Sequence, residues 1–140
     1  MRTTYSYLGT DIVAAEELHA GLQFSLDLAA NDAKELTIFV NSIAHCEQFM
    51  SKFFNSPELN KLRANQKIQL NGISIELESS QTIEAYKTYS TVLAIPASPD
   101  LLSKIDKNKS IRTLVLVAEE RDVSKEWLIA TDAKKLDISQ

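Results

Sequence analysis

The residues of this chain that could do chemistry are few and scattered. His45 and Cys46 stand side by side, the carboxylates Glu78, Glu119 and Glu120 close apolar or alternating runs, and Asn41, Ser42, Ser79, Ser80 and Ser98 follow similar runs. A cysteine beside a histidine near a helix start would suit a nucleophile activated by the helix dipole. Adjacent helical residues diverge by about 100°, however, so the two cannot act as base and nucleophile. Cys46 also shares an apolar stripe with Ile43, Met50 and Phe53, which makes it a buried core thiol. Glu78, Glu119 or Glu120 would serve as acid, base or nucleophile only where two carboxylates, or one and a hydroxyl, face each other across a pocket.

What is absent excludes more. Glycine occurs only at Gly9, Gly21 and Gly72, so there is no G-x-G-x-x-G and no P-loop, and none of the three reads as following a parallel strand. His19 has no partner histidine or clustered carboxylates at ligand spacing, and one cysteine cannot build a thiolate cluster; no metal site is predicted and no cofactor is indicated. The one basic cluster, Lys104, Lys107, Lys109 and Arg112, is interrupted by Asp106 and lacks interleaved aromatics, and the net charge is -4. Nucleic acid is disfavoured as a partner.

These groups must be positioned by elements that the pattern makes legible. Ala15, Leu18, Leu22, Leu26 and Ala29 recur at helical spacing after Thr10 and Asp11, predicting a helix over 11–31. Leu36 to Val40 reads as a strand buried on both faces. A second helical stripe over 43–54 carries Phe49, Phe53 and Phe54, and Ser56-Pro57 reads as the cap of a shorter helix. Ile68 to Leu77 is interrupted by Asn71-Gly72, the preferred centre of a type I′ hairpin, and that turn places Ile68, Leu70, Ile73 and Ile75 on one face. A helix near 81–89, strand 91–95, a helix capped by Ser98-Pro99, strand 113–118 and a helix capped by Asp122 complete the alternation.

Such alternation predicts a single α/β domain over 1–140, Rossmann-like and three-layered with flavodoxin-type order. Its mostly parallel five-stranded sheet runs 68–70, 73–77, 36–40, 91–95, 113–118, with the hairpin strand antiparallel at one margin. That order leaves the apolar strand 113–118 at the other edge, where the C-terminal segment with Leu136 and Ile138, or a second subunit, is expected to cover it. A homodimer would therefore form through 113–118 or through the 43–54 helix.

Ligands of open α/β sheets bind beyond the carboxyl ends of the strands, where strand order reverses. The candidate set is accordingly Asn41, Ser42, Glu78, Ser79, Ser98 and Glu119, although every serine here is equally accounted for as a helix N-cap. With no signal peptide, no apolar run longer than Leu114 to Ala118 and a lone thiol, the expectation is a soluble, cytoplasmic protein without a membrane partner. The sequence selects no single function. It ranks a non-catalytic module binding a small polar ligand, a nucleotide or metabolite, first. A hydrolase or transferase acting on a nucleoside or sugar phosphate, and an interaction or oligomerisation domain, are the alternatives.

Overall fold

Asn71 and Gly72 both take positive φ, 53° and 80°, and the type I′ geometry this implies sets the register of everything on that side of the molecule. In the computed structural model, which describes residues 3–9, 15–40, 50–51, 54–64, 66–79, 82–83, 87–95, 99–108, 110–119 and 125–135, strand β3 (Ile68–Leu70) pairs antiparallel with β4 (Ile73–Ser79). Ile68 faces Ile75 and Leu70 faces Ile73, as the turn requires. Beyond β4 lie β2 (Glu35–Val40), β5 (Thr91–Ala94) and β6 (Thr113–Glu119), all parallel.

The predicted edge is not an edge. Strand β1 (Thr3–Gly9) lies parallel along the whole of β6, from Thr3 against Thr113 to Gly9 against Glu119, and the two-residue β7 (Lys134–Lys135) adds to β1 at Tyr5 and Ser6. The sheet order is β3-β4-β2-β5-β6-β1-β7, so the expected five strands stand in the expected order with two more beyond them. Strand 113–118 is therefore interior, and β1 takes the place expected of a second subunit or of the C-terminal segment, whose Leu136 and Ile138 fall outside the described residues. The reason β1 escapes an apolar search is its composition: Thr3-Thr4-Tyr5-Ser6-Tyr7 is rich in β-formers but poor in aliphatics.

Four helices are described: α1 (Ala15–Ala30), α2 (Ser56–Arg63), α3 (Pro99–Asp106) and α4 (Lys125–Ala130). Alternation along the strands divides the core in two. On the first face Leu36, Ile38, Ile75, Leu77, Leu93 and Val115 pack with Leu22 and Leu26 of α1, Leu59 and Leu62 of α2, and Met50 and Phe54. On the second face Phe39, Val92, Ala94, Leu114 and Leu116 pack with Leu101, Leu102 and Ile105 of α3, with Trp127 and Leu128 of α4 partly buried against them.

Two expectations are corrected locally. Helix α2 is capped by Asn55, not Ser56: Asn55 Oδ1 accepts the Glu58 N–H at 2.9 Å while Glu58 Oε1 accepts the Asn55 N–H at 3.0 Å, a capping box that Ser56 could not close with a glutamate at the right spacing. The helix near 81–89 is not formed at the described residues 82–83 and 87–89. Thr82 and Ile83 turn back on the Ser79 carbonyl, and 87–90 run non-helically into β5. The caps expected at Thr10, Asp11, Ser98 and Asp122 lie outside the described residues.

Candidate functional site

At the carboxyl edge the sheet brings together the strands on which most of the candidate set depends. β2 and β5 are direct neighbours, Phe39 against Ala94, and the Ile95 N–H donates to the Phe39 carbonyl at 2.9 Å. Glu78 and Ser79 stand beside the end of β2, in register with Phe39 and Val40. Asn41, Ser42 and Ser98 directly follow this junction in sequence and, with Ser80, Ala97, Glu120 and Arg121, lie outside the described residues. Glu119 ends β6, three strand positions from β4, a separation of about 14 Å at the usual spacing of paired strands. It is thus not brought together with Glu78. Its neighbour is Gly9, which closes a parallel strand and so occupies the sheet edge that the sequence denied to every glycine.

Glu78 is the one candidate whose chemistry is visible in full. Its side chain lies on the second face, where the chain returning from β4 to β5 crosses β2 without a helix at the described positions. Lys87 and Tyr89 on that segment meet it instead. The Lys87 ammonium donates to Glu78 Oε2 at 2.7 Å and lies 3.4 Å from Glu76 Oε1, and the Tyr89 hydroxyl donates to Glu78 Oε1 at 3.0 Å. Thr37 donates to Glu76 at 3.2 Å. Tyr89 also sets its ring edge-on against Phe39 at 5.2 Å, beneath the Lys87 ammonium at 5.4 Å. Burial alone would lower the Lys87 pKa, but the Glu78 hydrogen bond and the charges of Glu76 and Glu78 outweigh it and hold the ammonium above its ordinary value of 10.5. A carboxylate whose two oxygens are both engaged, beside a lysine locked in its charged form, is built to hold a chain crossing in place rather than to exchange protons. Ser79 ends the strand with its N–H donating to Thr82 Oγ1 at 2.8 Å, a turn-forming role.

The crossing is pinned from below as well. Asn108 Nδ2 donates to the Lys87 carbonyl at 2.6 Å, and Ser110 Oγ accepts the Tyr89 N–H at 2.9 Å while its own proton goes to Asn108 Oδ1 at 2.6 Å. These residues belong to the opposite, amino end of the sheet, where a cavity of about 800 Å³ opens on the second face. Its lining includes Thr3 and Thr4 of β1, Asp106 at the end of α3, Arg112 before β6, Trp127 of α4 and Asp132 after it. The Trp127 Nε1–H donates to Asp106 Oδ2 at 2.8 Å and fixes the indole against the rim. Thr131, also on the wall, donates to the Trp127 carbonyl at 2.8 Å.

Sequence reasoning missed Lys87, Tyr89 and this cavity. The signal for the first two was present: Glu76 and Glu78 share a strand face, and Lys87 and Tyr89, nine and eleven residues after Glu78, repeat the two-residue step. The cavity had no such signal, since it joins residues from both ends of the chain.

The other groups with chemical interest divide plainly. His45 and Cys46 lie outside the described residues, His19 is on the exposed side of α1, and Met50 and Phe54 are core. The basic cluster is dispersed, with Lys104 paired to Asp100 at 3.7 Å and Arg112 to Asp32 at 2.7 Å. Among the described residues no group of three or more His, Cys, Asp or Glu could hold a metal ion. None of their helices is long and apolar enough to cross a membrane. No protein-family model, curated protein or solved structure matches this chain, so its site rests on its own geometry.

Proposed function

We propose that the chain is a single, non-catalytic α/β module of three-layered, Rossmann-like build that holds a small polar ligand, a nucleotide or metabolite, at the carboxyl edge between β2 and β5. One observation carries the reading. The chain proceeds from β2 outward to β4 on one side and from β5 outward to β6 on the other, so the connections leaving these adjacent central strands diverge. Divergence of this kind opens a crevice above the strand ends, and the order β4-β2-β5-β6 repeats the first four strands of the flavodoxin-type pattern, with β1, the first strand of the chain, in the place where that pattern has its last. Asn41, Ser42 and Ser98 follow the two strands in sequence, Glu78 and Ser79 flank them, and Glu119 with Gly9 lies farther along the same edge.

The ranking of binding over catalysis rests on Glu78. A hydrolase or transferase would need this acid to face a second carboxylate or a hydroxyl across a pocket, yet Glu78 is buried with its oxygens committed to Lys87 and the Tyr89 hydroxyl, and Glu119 stands three strands away. The interaction reading loses its main surface because strand 113–118 is paired on both sides. A cytoplasmic setting accords with the lone thiol at Cys46.

A thermal-shift panel of nucleotides and phosphorylated metabolites tests the reading. A ligand at about 100 times its Kd adds about 2.7 kcal/mol of stability, several degrees in Tm for a domain of this size. At least one compound is expected to do so, and Asn41→Ala combined with Ser98→Ala to abolish its shift relative to the variant's own baseline. A silent panel, or a shift that survives both substitutions, overturns the proposal.

A further inference from the structure

The Asn71-Gly72 turn brings together the parts of a reaction that needs no partner. Of the chain's asparagines only Asn71 is followed by glycine. Both residues are exposed, and a Cβ added at Gly72 would meet no atom within 4 Å, so neither side chain nor backbone crowds the peptide nitrogen between them. The Asn71 side chain has no hydrogen-bond partner among the described residues, whereas Asn31 Nδ2, Asn55 Oδ1 and Asn108 Nδ2 are all engaged.

An asparagine amide so placed is an electrophile for the backbone that follows it. The Gly72 nitrogen attacks Asn71 Cγ, the bond from Cγ to Nδ2 breaks, and the Gly72 amide proton leaves with that nitrogen as ammonia, closing a cyclic imide. Water then opens the imide at either carbonyl. Attack at Cγ gives aspartate, and attack at the main-chain carbonyl gives isoaspartate, with the backbone running through the former side chain. The closed turn restrains the first step, because type I′ torsions hold the Gly72 nitrogen away from the Asn71 side chain. That restraint is light: β3 is three residues long and ends the sheet, where local opening costs least.

We propose that Asn71 is a site of spontaneous modification and that its isoaspartyl form releases β3 from the sheet. Aspartate keeps the chain length and accepts the positive φ, so the aspartyl form retains the hairpin. Isoaspartate adds one carbon to the backbone of a two-residue loop, and the register is set by the length of that loop. Leu70 would no longer face Ile73, nor Ile68 face Ile75, and the apolar contacts of Ile68 and Leu70 with the first face would go with them. The modification is independent of the carboxyl-edge crevice.

The full chain is held for several weeks at mildly alkaline pH below its Tm and then mapped by peptide mass spectrometry, with chromatography separating the aspartyl and isoaspartyl forms. Conversion at Asn71 is expected to run several-fold ahead of every other asparagine and to yield both forms. Hydrogen exchange on the separated forms of the intact chain should show the Ile68 and Leu70 amides, which bond across the hairpin, protected in the aspartyl form and unprotected in the isoaspartyl form. Asn71→Gly suits the same turn, cannot form the imide and should keep those amides protected throughout. The proposal is overturned if Asn71 converts no faster than the other asparagines, if only aspartate forms, or if the isoaspartyl chain and Asn71→Gly protect Ile68 and Leu70 equally.

Discussion

The two faces of the sheet are made by the same strands and differ in what they bury. The first is aliphatic nearly throughout: Leu36, Ile38, Ile75, Leu77, Leu93, Val115 and Val117 meet α1 and α2, with the buried hydroxyls of Thr91, of Ser79 at the end of β4 and of Ser25 on α1 among them. The second mixes Phe39, Val92 and Leu116 with buried Thr4, Ser6, Thr37, Glu78 and Asn108. The connection that covers each face explains the difference. Helices α1 and α2 satisfy their own backbones and present only side chains, so the strands beneath them can be purely apolar. The β4–β5 crossing has no helix at its described positions, so its carbonyl at Lys87 and its N–H at Tyr89 need partners, which Asn108 and Ser110 supply. The first face stores stability, and the second fixes geometry and leaves space.

The largest test of that contrast is truncation in the first face. Ile38→Ala, at a position that is fully buried, is expected to lose about 2–5 kcal/mol because the tight packing around it cannot collapse onto the cavity. Urea unfolding checks it, with the midpoint moving and the slope unchanged. On the second face Glu78→Gln is expected to cost less, about 1–3 kcal/mol, since Lys87 is partly exposed and can recover water. Replacing the pair together, Glu78→Leu with Lys87→Met, should restore part of that loss, because the buried Glu78 charge leaves with its partner while Glu76, part-exposed, keeps its Thr37 hydrogen bond. If the double variant is as unstable as the single one, the pair is not what holds the crossing.

The alkaline limb sharpens the same point. The Lys87 pKa is raised in the fold, so its contribution is fully present below the ordinary lysine value of 10.5 and is lost as pH climbs through the higher folded value. The stability gap between the native chain and Lys87→Met should hold constant through neutral pH and shrink only above 10.5. Chemical denaturation across that range measures it. A gap that closes below that value would mean that Lys87 gains nothing from its carboxylates.

Much of the first face was legible in the sequence, and little of the second. Unbroken aliphatic runs at 36–40, 91–95 and 113–118, and the Asn71-Gly72 hinge, each specify a strand with its neighbours, because burial on two faces leaves no other use for such residues. The order of five strands followed from them. Strand β1 did not, since Thr4 and Ser6 are buried by position in the sheet rather than by chemistry. Asn55 was passed over for Ser56 because both are good caps, and only Glu58 at the third helical position decides between them. The cavity was illegible in principle: Thr4, Asp106, Trp127 and Asp132 meet only once β1 has docked against β6.

The smallest expected effect tests what the two faces share. Thr91 on the first face and Thr4 on the second are both buried with an Oγ1 that has no partner. Valine has nearly the shape of threonine, so in either place the substitution removes a desolvated hydroxyl and should leave stability unchanged or raise it by up to about 1 kcal/mol. Thermal unfolding of Thr91→Val and Thr4→Val is expected to give that same result at both sites. A loss of more than about 1 kcal/mol at either site would show that its hydroxyl is engaged in the native protein, and that the face which holds it spends a polar group on stability.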